Sequence, residues 1–463
     1  MSQPGRILSD LPPRLDRLPW SRFHWMVFFI IGVGYLLDGF EVSVYGSVLG
    51  PVAKLFHVPA FWASALLSIF LIGAFVGAMG FGYLADRLGR RRLFVVTLTF
   101  YAAATVLSAL SWNYASLAVF RFLTGVGIGG EYGAVDSAIQ EFIPSARRGF
   151  ATGMIPGMWD IGTVIASLLS YFALSYLPAA VGWRVAFLFG AIIAVFVAGV
   201  RRLLPESPRW LLGRGRTQQA AQVVEQIEAA VKREHGLSQL PSVTPVEVEQ
   251  AKDHGFWHHY GEIIRNYPRQ TALAWILNFC ETLPYYSAFS LIPVILTFSY
   301  KYPTHAVPLL LTIVTLAGVL GVFVMSFLAD AWGRRASVTL SYGLAGVMAL
   351  ITGIMSAAHA GFGWFIAALA VTYFFAFAAA AVVYVTTTEI FPTSVRAAAI
   401  SASVAFGRIG GIIGPVLLTA MLAISQEAAF VLTGIVLLIG AVAELVLGIE
   451  GRGRSLEEIS SSA

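Results

Sequence analysis

The sequence predicts an all-α membrane protein of twelve transmembrane helices, arranged as two six-helix, pseudo-symmetric halves. Three observations carry that reading: too little charge for a soluble domain, a regular succession of long apolar runs, and two polar signals that each occur twice. Of 463 residues, 57% are hydrophobic and only 12% charged, about half the roughly 25% usual in soluble globular domains. Mean hydropathy is +0.76. An ordinary water-soluble enzyme is excluded.

Residues 1–24 carry Arg6, Asp10, Arg14, Asp16, Arg17 and Arg22. That is too much charge for a secretory signal, and no small-residue cleavage site follows, so the segment reads as a cytoplasmic tail. Apolar runs at 25–49, 61–83, 93–111, 115–139, 150–173 and 183–204 build the first half, 25–204. Runs at 271–299, 306–328, 336–358, 363–388, 397–423 and 428–449 build the second, 271–449. Each is about the length of a membrane-spanning helix, roughly 20 residues. Residues 450–463 read as a second cytoplasmic tail.

The polar stretch 205–270 is the one sizeable soluble part, a cytoplasmic linker with two or three amphipathic helices. Thr217 can cap a helix with apolar positions Ala220, Val223, Val224, Ile227 and Val231 at helical spacing. Thr244, Pro245 and Glu247 spell a second start signal of cap, proline and capping-box glutamate. His258 and His259 have no second ligand pair at zinc-like spacing, and no metal is expected. The lone Cys280 lies in an apolar run, reads as a small buried core residue, and excludes an intrachain disulfide.

The net charge of +5 would suit nucleic acid only if one solvated face carried it. Instead the basic residues stand between apolar runs: Arg87 to Arg92, Arg147 and Arg148, the linker, Arg334 and Arg335, Arg396, Arg452 and Arg454, against Lys54, Arg184 and Lys301 on the other side. That asymmetry predicts both termini in the cytoplasm and no nucleic-acid partner.

Two signals return at nearly constant offset. Gly82-Tyr-Leu-Ala-Asp86-Arg-Leu-Gly89-Arg90-Arg91 recurs as Ser326-Phe-Leu-Ala-Asp330-Ala-Trp-Gly333-Arg334-Arg335, and Glu141-Phe-Ile-Pro144-Ser-Ala-Arg-Arg148 as Glu389-Ile-Phe-Pro392-Thr-Ser-Val-Arg396. Two halves sharing both signals in one order read as a duplicated unit. With these loops the chain resembles the major facilitator superfamily. Pro205-Glu206-Ser-Pro-Arg209-Trp210 and the Glu-to-Arg pairs seven apart resemble its sugar-porter, organic-ion and aromatic-acid branches. The resemblance implies two rocking halves with a substrate site between them near the midplane.

The loop residues Asp86, Arg90, Glu141, Arg148, Glu206, Arg209, Asp330, Arg334, Glu389 and Arg396 are expected to gate. An acid at a helix end can bond a neighbouring helix N-terminus and the arginines of an adjacent loop, latching one side in one state. Ala331 and Ser326 stand where the first copy has Arg87 and Gly82, which predicts a weaker second latch.

Ionisable residues inside the membrane cost on the order of 2.5–3.5 kcal/mol each and are functional candidates by default. At about 1.5 Å per residue, Glu41 lies roughly 24 Å along the first span and Arg121 roughly 9 Å from the outer face, which is similar depth across about 30 Å of hydrocarbon. A carboxylate that pairs with arginine when ionised and releases it when protonated links proton occupancy to helix packing. Asp38, Glu41 and Arg121 are therefore the candidate proton-coupling residues, with a permanent structural ion pair as the alternative. Leu37-Asp38-Gly39-Phe40-Glu41 and Arg121-Phe-Leu-Thr-Gly125 resemble the corresponding helices of proton-coupled aromatic-acid and sugar transporters, with glutamate in place of aspartate at position 41.

Gly125-Val-Gly127-Ile-Gly-Gly130 spells a dinucleotide fingerprint, but no strand precedes it. Gly125, Gly129 and Gly133 make a small-residue packing stripe instead. No cofactor is expected.

At the midplane come Asp160, Glu281 and Arg408. Gly407-Arg408-Ile-Gly410-Gly411 resembles organic-ion transporters whose anion-preferring members carry arginine there, and a guanidinium can hold a carboxylate through two hydrogen bonds. Pairing of Arg408 with Glu281 or another buried acid is the alternative. The spans are nearly devoid of glutamine, with Asn278 the one amide in the seventh, which disfavours sugar. Tyr45, Trp159, Tyr285, Tyr286 and Tyr384 can form an aromatic wall. The expected activity is import of a small organic anion, an aromatic or heteroaromatic carboxylate, by proton symport and rocker-switch alternating access, in a monomer of the bacterial inner membrane. A sugar, polyol or organic-cation symporter and a non-transporting receptor are the alternatives.

Overall fold

A computed structural model describes residues 6–88, 90–129, 142–213, 215–249, 261, 263–358, 360–391 and 396–449. The chain opens with strand β1 (Arg6–Ser9) and helix α1 (Leu11–Asp16). The first apolar runs are α2 (Arg22–Leu55), α3 (Ala60–Leu88), α4 (Arg90–Ala109), α5 (Tyr114–Gly129), α6 (Ser145–Tyr176) and α7 (Ala179–Arg201). The linker holds α8 (Pro208–Gly213), α9 (Thr217–His235) and β2 (Val246–Glu249). Then follow α10 (Pro268–Val294), which continues into a π turn at Ile295–Ser299, α11 (Val307–Trp332), α12 (Arg334–Ala357), α13 (Phe362–Glu389), α14 (Arg396–Met421) and α15 (Gln426–Leu447).

Apart from a few terminal residues, the described parts of the predicted apolar runs are helical. Among the described residues, ten helices are long and apolar enough to cross a membrane, and Val95–Ala109 and Tyr114–Gly129 are shorter apolar helices. At 34 residues, α2 reaches about 51 Å, well beyond the roughly 30 Å hydrocarbon core.

Glycine sets the closest helix approaches. A Cβ on Gly125 or Gly129 would lie 2.0 or 1.9 Å from the carbonyl oxygens of Phe70 and Ala74, so the small-residue stripe is where α5 meets α3; its third member, Gly133, lies outside the described residues. The helices before the linker touch those after it where α2 meets α10, α3 meets α14, and α6 meets α11.

Two local readings are corrected. The signal at Thr244, Pro245 and Glu247 leads into a strand, not a helix: β2 pairs antiparallel with β1, with Arg6 opposite Glu249 and Leu8 opposite Glu247. Val246-Glu-Val-Glu249 alternates with period two, and the edge offered by β1 overrides a cap that acts only locally. Thr217 is the first residue of α9, and Arg216 occupies the cap position.

The segment before the first span is folded onto the linker. Leu11, Leu15 and Leu18 share a hydrophobic cluster with Val224, Ile227 and Val231 of α9. Arg14 Nη2 donates to Glu228 Oε2 at 2.6 Å, and Arg17 Nη2 donates to Glu228 Oε1 at 2.6 Å. Burial pushes the Glu228 carboxyl up, but the bonds and charges of Arg14 and Arg17 outweigh it and hold the group below the usual carboxylate range. His258 and His259 lie outside the described residues, while Cys280 is buried.

Candidate functional site

Glu41 of α2 and Arg121 of α5 are both wholly buried, and Arg121 Nη1 donates to Glu41 Oε2 at 2.6 Å. Five helices build this junction. The guanidinium carbon stands 4.7 Å from the Phe70 ring centroid of α3 and 5.0 Å from that of Phe187 of α7, so two aromatic faces hold the cation beside its partner. The Tyr101 hydroxyl of α4 donates to Glu41 Oε1. Gly190 of α7 makes the room, since a Cβ there would lie 2.5 Å from Oε1. Among the described residues, Nε and Nη2 of Arg121 have no hydrogen-bond partner. A pair this dry and incompletely satisfied recovers little net stability from its own attraction, because desolvation offsets the Coulomb gain.

One turn before Glu41, Asp38 accepts a 2.8 Å hydrogen bond on Oδ2 from Trp159 Nε1 of α6. The next residue of α6, Asp160, accepts one on Oδ1 from the Tyr285 hydroxyl of α10, also at 2.8 Å. The Trp159 and Tyr285 rings lie 5.0 Å apart between centroids, Tyr286 meets Trp159 edge-on at 6.2 Å, and Tyr285 packs 4.4 Å from Phe377 of α13. Asp38, Trp159, Asp160, Tyr285 and Tyr286 thus form one connected cluster that joins α2 and α6 to α10. Glu281 lies one turn before Tyr285 on α10 and is half-buried.

Tyr45 and Asn278 are committed elsewhere. The Tyr45 hydroxyl donates to the Ala63 carbonyl of α3. Asn278 Nδ2 donates to the Ala274 carbonyl at 2.8 Å and to Thr387 Oγ1 at 3.2 Å, so its amide serves its own helix and α13. Tyr384 is half-buried on α13. Arg408 is half-buried on α14, on the stretch where Gly407 closely faces Asn278 and Gly411 faces the Tyr286 ring.

At the helix ends, Arg334 opens α12 and Glu389 closes α13. Arg334 Nε and Nη2 reach Glu389 Oε2 and Oε1 at 3.0 and 3.2 Å, the two-pronged geometry of a guanidinium on a carboxylate. These two residues come from the two recurring signals of the second half. Glu206 is half-buried in the irregular segment before α8. Glu141 and the side chains of Asp86, Arg90, Arg148, Arg209, Asp330 and Arg396 lie outside the described residues.

Tyr101, Phe70, Phe187 and Gly190 were not singled out from the sequence. Aromatic residues make up 13% of the chain, and without knowing which helices touch, no local pattern marks these four.

Residues 25–462 match the family model described as "Sugar (and other) transporter". The niacin transporter NiaP of Acinetobacter baylyi is 29% identical over 97% of this chain and 99% of its own length. The putative niacin/nicotinamide transporter NiaP of Bacillus subtilis is 27% identical over 92% and 96%. Among solved structures, the inward-open xylose transporter XylE from E. coli superposes with a TM-score of 0.74 at 19% identity, covering 95% of this chain and 99% of that one. The chain belongs to the sugar (and other) transporter family of the major facilitator superfamily, and is an integral multi-pass membrane transporter rather than an enzyme.

Proposed function

We propose that the protein is a proton-coupled symporter that imports a small organic anion of the aromatic or heteroaromatic carboxylate class. In this reading twelve spans form two six-helix halves that rock about a central site, both termini face the cytoplasm of a bacterial inner membrane, and the transporter is a monomer. The observation that carries it is the wholly buried Glu41–Arg121 pair at the junction of five helices. Protonation of Glu41 removes the charge that holds Arg121, so proton occupancy and the packing of α2 on α5 are linked.

The substrate class follows from three supports. The Trp159–Tyr285–Tyr286 cluster offers aromatic faces where α6 meets α10, Arg408 supplies a cation on the adjoining helix, and two relatives are named for niacin, itself a heteroaromatic carboxylate. With the termini inside, the close approach of Gly46 to the Phe289 carbonyl, where a Cβ would lie 2.4 Å away, falls at the outer end of α2 and α10. It supports a state closed to the outside. Asp160 and Glu281 favour a second reading, an organic cation, which the same assay addresses.

The test is uptake of labelled niacin into proteoliposomes under an imposed proton gradient, with xylose and a quaternary amine as comparison substrates. Glu41→Gln is expected to abolish uphill uptake while leaving niacin exchange partly intact, because exchange needs no net proton movement. Uphill uptake at the wild-type rate in that variant would remove the coupling assignment, and preferential uptake of the amine would replace the anion reading.

A further inference from the structure

We propose that Tyr101 is the positioning residue for the Glu41 carboxyl, able to bond it in both protonation states. The proposal rests on the proton-coupling reading and deepens it. Tyr101 is wholly buried on α4, and its hydroxyl donates to Glu41 Oε1 while Arg121 occupies Oε2. The two carboxyl oxygens thus have different partners from different helices, which fixes the plane of the group.

Two glycines from two further segments frame this contact. A Cβ on Gly127 of α5 would lie 2.7 Å from Tyr101 Cβ, and one on Gly190 of α7 would lie 2.5 Å from Glu41 Oε1 and 3.4 Å from the Tyr101 oxygen. Gly127 lets the root of the tyrosine lie flat against α5, and Gly190 leaves the space in which hydroxyl and carboxyl meet. A tyrosine merely filling the core would need neither the second gap nor a hydroxyl aimed at a carboxylate.

The chemistry of the two partners differs. A guanidinium has donors and no acceptor, so Arg121 can bond the ionised carboxylate but has nothing to offer a carboxylic acid proton. A phenol is donor and acceptor. Once a proton sits on Oε1, the Tyr101 hydroxyl can turn so that its oxygen accepts a hydrogen bond from that carboxylic O–H, keeping the neutral side chain in place, while Phe70 and Phe187 keep Arg121 in place. Among the described residues, the titratable and charged groups shown against Glu41 are Arg121 from α5 and Tyr101 from α4, with Asp38 one turn away on α2, itself bonded to Trp159.

The experiment uses the purified full-length protein as wild type, Glu41→Gln, Tyr101→Phe and Gly190→Ala. A pH titration followed by infrared difference spectroscopy identifies the Glu41 carboxylic C=O band by its loss in Glu41→Gln. In Tyr101→Phe, which keeps the ring, that band is expected to change frequency, and its titration midpoint to be displaced, because the phenol's charge-assisted bond to the carboxylate is stronger than its bond to the neutral acid. Gly190→Ala, which crowds the same contact, is expected to displace the midpoint as well, and so gives a second route if Tyr101→Phe folds poorly. In proteoliposomes, proton-driven uptake of labelled niacin by Tyr101→Phe is expected to fall about tenfold in maximal rate, with KM unchanged and exchange kept within about twofold. A band and midpoint identical to wild type in Tyr101→Phe overturn the proposal and leave the coupling reading standing. Undiminished uphill uptake by Glu41→Gln overturns both.

Discussion

The Glu41 and Glu228 carboxylates both lie 2.6 Å from arginine nitrogens, yet their surroundings make them opposite kinds of interaction. Glu41 and Arg121 are both 0% exposed, packed among the rings of Phe70, Phe187 and Tyr101. Glu228 is 8% exposed and its partners Arg14 and Arg17 are each 18% exposed, where the N-terminal segment folds onto the linker. Distance alone would rank them equal. The first is cut off from water, so salt cannot screen it and its desolvation cost is large; the second keeps enough contact with water to be screened and to shed its charge without trapping an ion. A bond of the first kind suits a switch between two helix packings, and one of the second kind suits a tether.

The comparison breaks most visibly at Arg121. Arg121→Met leaves Glu41 buried with Tyr101 as its remaining donor, and is expected to lower stability by about 3–5 kcal/mol, with most of that recovered when Glu41→Met is added, because the uncompensated charge is then gone. Thermal unfolding in detergent at about 0.1 and 1 M salt measures both, and the loss should be nearly independent of salt. A loss under about 1 kcal/mol, or one that salt abolishes, would mean that the pair is wetter than its geometry implies.

How much of this was legible in the sequence differs between the same two regions. Glu41 and Arg121 could be matched because helix rise converts residue number into depth, and a buried acid and base at one depth have few other partners. Tyr101 could not, since its role depends on which face of α4 meets α2, and the sequence carries no signal for that. The tether was hidden for another reason: β1 and β2 are separated by more than two hundred residues, and at Thr244 a local helix-start signal pointed the wrong way. Asn278 shows the limit from the other side. Its residue type marked it for substrate, yet its amide is bonded to Ala274 and Thr387.

Arg408 sharpens the comparison because its half-buried guanidinium falls between the two extremes. If it holds the substrate carboxylate through both prongs, Arg408→Lys keeps the charge and loses the fork. Niacin affinity should then fall by about 1.5–3 kcal/mol, roughly ten- to hundredfold, and Arg408→Ala should lose at least as much. The neutral amide of niacin should bind wild type poorly and the alanine variant about equally poorly. Equal binding of acid and amide by the wild-type protein would remove Arg408 as the anchor and favour the cation reading built on Asp160 and Glu281.

The smallest effect is expected at the tether. Because Arg14 and Arg17 hold the Glu228 carboxyl below its ordinary range, net of the opposing push from burial, its contribution is complete above the ordinary glutamate value near 4.3 and is lost as the pH falls through the lowered one. Glu228→Gln should cost only about 1 kcal/mol of stability, since the partners are part-exposed. The sharper readout is geometric. Spin labels placed at Leu8→Cys, which is exposed, and Ser242→Cys, in a Cys280→Ser background, should give a narrow distance distribution at neutral pH and low salt. That distribution should broaden in acid, in about 1 M salt, and at neutral pH in Glu228→Gln, while the Arg121 region stays unchanged. A distribution that remains narrow under all three conditions would assign the docking to the apolar contacts of Leu11, Leu15 and Leu18 with α9, and would reduce Glu228 to a passenger on a hydrophobic joint.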